Sequence, residues 1–250
     1  MDKTKRPIVL ATNVHVEVAM NNASGLIGKT INALDGEIGS VHDLHFDDQT
    51  WSVRYLLVDT GKWLSGRMVL VAPEAIVKPW HNESAIAANL TTDQIRSSPD
   101  IDTSMPVSRM DEELLHQHYR WTPYWDSTIV PTPPTPRSPS TSLTIEEVSP
   151  ETVPTAESLV HAGLRSANEL AGYHVKARGG DEVGEVEDLL IDDDLSRILF
   201  LVVEVKGWIF GKKVLVGPSL ISGVDWATST VHVGANYQAL KSAQEYHPAA

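Results

Sequence analysis

Apolar and polar residues alternate over short spans along this chain, as they do in strands that bury one face. Residues 29–33 and 173–177 both alternate, and each runs into a turn, at Asp35-Gly36 and at Gly179-Gly180-Asp181. A further strand is predicted from Gly39 to Phe46, where Val41, Leu44 and Phe46 supply the apolar face. Turn tips follow at Asp47-Asp48-Gln49-Thr50 and at Asp192-Asp193-Asp194-Leu195. The returning strands, 52–58 and 197–203, are richest in β-branched and aromatic residues. After a glycine-flanked loop come 68–73 and 213–218, where a proline ends the strand in both places. More strands are predicted at 85–90 and 230–233, each followed by a short helix, one containing Gln94-Ile95 and the other Ala239-Leu240.

This order of elements occurs twice. Gly39-Ser40-Val41-His42-Asp43-Leu44 reappears as Gly184-Glu185-Val186-Glu187-Asp188-Leu189, and the offset of 145 residues holds through Ile76 and Ile221. Duplication makes the second copy a test of every position in the first. Short, closely spaced strands favour small barrels, which remove exposed sheet edges. The expected fold is mainly β: two small barrels in tandem, a short helix after each. Between them, 127–162 turns to Pro, Ser, Thr and Glu, a composition with few amide donors and little to bury, so it reads as a flexible linker.

The 250 residues are 42% hydrophobic and 21% charged, ordinary for a soluble globular protein. There is no cysteine, which excludes disulfides, thiolate catalysis and cysteine zinc sites. The net charge is −13, with the acidic excess shared by both halves, so no nucleic-acid partner is expected. The first ten residues begin like a signal peptide, but Asn13, His15 and Glu17 interrupt the apolar stretch, and a cytoplasmic location is expected. Apolar runs such as 198–203 fall far short of the roughly 20 residues that span a bilayer, so membrane contact is expected to be peripheral at most.

Leu26-Ile27-Gly28-Lys29, Asp35-Gly36-Glu37-Ile38-Gly39, the Val-x-Asp-Leu strand entering an Asp-Asp turn, and the closing Val-Leu-Val-Ala-Pro resemble the PRC-barrel family. The second copy supplies Leu170-Ala171-Gly172, Gly180-Asp181-Glu182-Val183-Gly184 and Val214-Leu215-Val216-Gly217-Pro218. The resemblance covers about 21–100 and 166–240. It implies strongly bent barrels of about six strands that act as docking or regulatory modules without catalysis. The same fold occurs in the cytoplasmic domain of the photosynthetic reaction-centre H subunit and in a ribosome maturation factor. The division this implies is 1–126 for the first barrel with a helical aromatic tail, 127–162 for the linker, and 163–250 for the second barrel.

Candidate chemistry is sparse. The loop 61–67 lacks the Gly-Lys-Ser/Thr ending of a phosphate loop. Carboxylates at Asp43, Asp47 and Asp48, and again from Glu185 to Asp194, lack the spacing of a calcium loop and read as solvated turns. His42 with His45, and His116 with His118, are spaced to diverge on a strand or a helix. No catalytic residue, cofactor or metal is assigned. Partner binding is assigned instead to Trp63, Leu64, Trp208, Ile209 and Phe210, which are either exposed anchors or plugs folded back on their barrels. It is also assigned to Tyr119, Trp121, Tyr124 and Trp125 of an unduplicated tail, which packs on the first barrel, lies in the cleft between the two, or forms a partner patch. The expected function is that of a non-enzymatic module binding an unidentified protein through barrels paired within the chain, or as a homodimer. The alternatives are an accessory factor of a photosynthetic or respiratory membrane complex and, after that, a ribosome or RNA assembly factor.

Overall fold

The computed structural model describes residues 20–80, 85–103, 107–125, 164–206, 211–243 and 245–247. The linker expected at 127–162 and the loop residues Trp208, Ile209 and Phe210 lie outside the described residues. In the first half the chain forms β1 (Met20–Asn22), β2 (Thr30–Asn32), β3 (Glu37–Asp47), β4 (Ser52–Asp59), β5 (Met68–Val71), β6 (Ala85–Ala87), α1 (Thr92–Arg96) and α2 (Arg109–Tyr119). In the second half it forms β7 (Arg165–Ser166), α3 (Ala167–Leu170), β8 (His174–Lys176), β9 (Glu182–Asp192), β10 (Ile198–Val205), β11 (Lys212–Val216), β12 (Ile221–Asp225), β13 (Thr230–Val233) and α4 (Tyr237–Lys241).

Each copy builds one mainly antiparallel sheet around its longest strand. The orders are β5-β4-β3-β2-β6 and β11-β10-β9-β8-β13-β12, each with one parallel pair, β2 with β6 and β8 with β13. Ile38, Val41, Leu44 and Phe46 of β3 are buried, and the steps of three from Ile38 to Val41 and from Val41 to Leu44 depart from strict alternation because the register shifts there. Both copies carry the same two β-bulges. In the first they interrupt the β3–β4 register between Val41 and Asp43 and between His45 and Phe46, and in the second they interrupt β9–β10 at the equivalent places. An extra residue bends a strand, so these paired bulges curl each sheet into a small barrel-like domain. Gly39 and Gly184 serve the same bend. A Cβ on either would overlap the backbone carbonyl of Asp59 or of Glu204 across the sheet.

The copies are related by a pseudo-two-fold axis. At its centre the antiparallel bridge between Ser52 and Arg197 joins residues 145 apart, so each residue meets its own repeat counterpart. The flanking bonds are reciprocal: Val53 N–H to the Ser196 carbonyl and Ile198 N–H to the Trp51 carbonyl, both 2.9 Å.

Away from the axis the leading segments change places. β1, from the first copy, adds to β9, while β7, from the second, adds to β3, in equivalent registers: Asn22 opposite Leu190 and Ser166 opposite His45. One buried aspartate receives each arm. Asp188 (8% exposed) accepts from Asn22 Nδ2 at 2.7 Å, from the Ser24 hydroxyl and from the Ser24 amide. Asp43 (5% exposed) accepts from the Ser166 hydroxyl and from the Asn168 amide at 3.0 Å. A buried carboxylate requires such donors, and each aspartate finds them in the other copy.

Two tryptophans reinforce the exchange. Trp80 Nε1 donates to the Asp193 carbonyl at 2.7 Å, and Trp226 Nε1 donates to Asp48 Oδ2 at 2.9 Å. Asp48 and Asp193 also take Arg165 and Asn21 from the arms. The expectation of solvated acidic turns therefore fails for Asp43, Asp48, Asp188 and Asp193, because their oxygens face donors of the opposite copy. The buried apolar side chains of both copies form one continuous cluster.

Candidate docking site

The unduplicated tail sits on the first copy. α2 begins with a capping box, in which the Ser108 hydroxyl accepts from the Asp111 amide and the Asp111 carboxylate accepts from the Ser108 amide. It stops where Arg120 turns left-handed (φ 61°). Its buried residues, Glu112, Leu115, His116 and Tyr119, recur at the spacing of one helical face, while Met110 and Leu114 are exposed on the other.

Under that face lies a polar knot. Glu112 is 2% exposed and His116 6%. Tyr55 donates its hydroxyl to Glu112 Oε1 at 3.2 Å, and Tyr124 donates to the same oxygen at 2.7 Å. Arg109 reaches Glu112 Oε2 at 3.1 Å. His116 Nε2 lies 3.0 Å from the Tyr55 oxygen. Nδ1 has no hydrogen-bond partner. The carbonyls of Trp121 and Thr122 favour the charged ring, but burial outweighs them and lowers the His116 pKa. Burial raises that of Glu112, with the two tyrosine hydroxyls and Arg109 opposing. Burial also raises the Tyr55 and Tyr124 phenols, and the Glu112 charge adds to both shifts.

The knot carries an aromatic layer. The Arg54 guanidinium lies 3.5 Å from the centre of the Tyr124 ring, and that of Arg109 lies 4.0 Å from the Trp125 ring, both cation–π distances. Tyr119 is buried and stacks on Trp121 at 4.2 Å, while Trp121, Tyr124 and Trp125 are half-buried. All four expected tail residues are thus brought together on the first copy. Trp63 and Leu64 lie elsewhere, in a short 3-10 turn at 61–64. The Trp63 indole donates to the Ile38 carbonyl yet leaves the side chain 38% exposed, and Leu64 packs partly against the core.

The sequence does not single out Arg54, Tyr55 or Glu112, and it raises His116 only as a metal-ligand candidate beside His118. The repeat held a signal for two of them, since Arg54 and Tyr55 stand where the second copy has Leu199 and Phe200. Among the described residues one His/Glu trio, His174 with Glu182 and Glu185, is close enough for metal ligation. The Lys206 ammonium already sits 2.6 and 2.9 Å from the two carboxylates, so a lysine holds the place a cation would take.

Two bent sheets of this kind, each curled by the same bulges, define a protein built from small β-barrel modules. Residues 163–235 match the PRC-barrel domain family. Among solved structures, the chain is similar to a putative 16S ribosomal RNA processing protein, RimM, from Pseudomonas aeruginosa, at 16% identity and a TM-score of 0.24. That alignment covers 33% of this chain and 57% of the other. No curated protein matches the sequence. No helix among the described residues is long and apolar enough to cross a membrane.

Proposed function

We propose that the chain is a non-catalytic, cytoplasmic docking or regulatory module whose paired barrels present one asymmetric aromatic face to a protein partner. The observation that carries this reading is the tail. A duplicated, arm-exchanged scaffold is nearly symmetric, and the tail breaks that symmetry by placing Trp121, Tyr124 and Trp125 on one copy only. Aromatic rings held by packing lose little freedom on binding and are enriched at the centres of interfaces. Arg54 and Arg109 hold two of these rings from behind, which fits a surface shaped before the partner arrives. Exposed Met110 and Leu114 extend the apolar surface along α2.

A photo-crosslinking residue placed at Trp121 or Trp125 in the native cell tests the proposal. A discrete protein adduct from these positions, absent when the same residue is placed at Ser222 on the second copy, is the expected result. Adducts identical from both faces, or none, would sink it.

A further inference from the structure

The pseudo-two-fold axis generates clefts in pairs, one on each side of the Ser52–Arg197 bridge. The first, about 360 Å³, lies where 72–78 of the first copy face Asp194, Ser196 and Arg197 of the second, beneath His116, Thr122 and Tyr124 of the tail. Its mate lies where 218–224 face 48–51. The linings differ in charge. Arg54, Lys78 and Arg197 line the first cleft, and the repeat counterparts of these residues are Leu199, Gly223 and Ser52. None of these three counterparts is charged.

We propose that the first cleft binds a small anion, a phosphate or carboxylate group, held by Arg197 and Lys78 across the seam between the copies. Two of the three cations are already positioned. Lys78 is held by Asp194 at 2.6 Å, and Arg54 by Asp47 at 3.3 Å and by the Tyr124 ring. Arg197 has no ion pair among the described residues, so its guanidinium keeps its full capacity for a bidentate oxyanion. Ser52 and Thr122 line the same space and carry hydroxyls as further donors, whereas those of Ser196 and Tyr124 already give their protons to Asp192 and Glu112. The opposing acids are Glu74 and Asp194. Asp194 is neutralised by Lys78, and Glu74 is exposed to solvent, where salt and water screen its charge. A protein with net charge −13 places three cations in one cleft whose mate has none of them. The volume suits a ligand of metabolite size. The cleft meets the docking surface at Tyr124, while the anion's proposed ligands, Arg197 and Lys78, lie outside the aromatic layer.

Calorimetric titration of the full-length protein with inorganic phosphate and, separately, with citrate, at constant ionic strength, tests the site. Saturable binding of at least one anion is expected, weakened about tenfold or more by Arg197→Ala or Lys78→Ala, the loss of one charge-assisted bond. Ser222→Ala, in the mate cleft, leaves it unchanged. Phosphate binding alone identifies a phosphorylated ligand, and citrate binding alone a carboxylate. Because the Arg197 backbone lies at the pseudo-axis, Lys78→Ala carries the test should Arg197→Ala fail to fold. No saturable binding of either anion up to about 10 mM, a range that reads even very weak sites, overturns the proposal. So does an affinity untouched by both substitutions.

Discussion

Asp43 and Asp188, equivalent by the repeat, each accept hydrogen bonds from the leading segment of the opposite copy, Asp43 from Ser166 and Asn168 and Asp188 from Asn22 and Ser24. The two aspartates are therefore receptors in a reciprocal exchange. Each also accepts from the amide that follows it in its own strand, that of Leu44 or Leu189, so the arm is tied directly to the sheet it joins.

Equal consequences should follow from losing either one. Asp43→Ala and Asp188→Ala each leave buried donors of an arm unpaired, at a cost of about 2–3 kcal/mol, the scale of a hydrogen bond to a charged group. Urea unfolding should show similar losses for the two variants, close to additive in the double variant because the sites are separate. A large loss for one and none for the other would contradict the reciprocity.

Chain continuity should be dispensable once the fold has formed. The bridge at the axis, both arms and the Trp80 and Trp226 bonds use no residue of 126–163. A full-length chain cut at a protease site inserted in that segment is expected to elute as one non-covalent species. Elution as two separate fragments would show that the exchanged arms do not hold the copies together.

Gly39→Ala and Gly184→Ala place a methyl group into the Asp59 and Glu204 carbonyls, and backbone cannot move aside as a side-chain tip does. Each should cost about 3 kcal/mol or more, read as a fall in melting temperature or as insoluble protein. Gly223→Ala, with open space around it, is the control.

The knot makes the docking of α2 depend on pH. His116 has a folded pKa below its ordinary 6.5, so it contributes stability above 6.5 that is lost as pH falls through the folded value. Glu112 runs the other way. Its raised pKa contributes stability below 4.5 that is lost as pH rises through the folded value. Wild type should therefore lose stability to acid below 6.5 more steeply than His116→Gln. Burial also lowers the pKa of His45, beside Asp43, so the variant keeps part of the slope. Parallel pH profiles of melting temperature would show that His116 is not the group responsible.

Much of the fold was legible because strand alternation and turn chemistry are local. The hairpin of β3 and β4 announced itself through Val41, Leu44, Phe46 and the Asp-Asp tip. The helix of the tail could be read from Glu112, Leu115, His116 and Tyr119, although its buried carboxylate could not. Burial of Glu112 depends on Tyr55, 57 residues earlier, and no periodicity links them. The arms were harder still. Residues 20–22 and 165–166 are too short to show alternation, and their partners lie more than a hundred residues away. Asp43 and Asp188 read as solvated carboxylates in the sequence, whereas both are buried and serve the contact between copies.

The region matched by family begins at residue 163, yet Arg165 and Ser166 pair with β3 of the first sheet. What is contiguous in the gene is thus not contiguous in space. A fragment made by cutting at the repeat boundary would carry an arm with no groove to enter and a groove with no arm to fill it. The smallest heritable piece that can complete its own sheets is the whole duplicated chain, and later change in either half must satisfy the other.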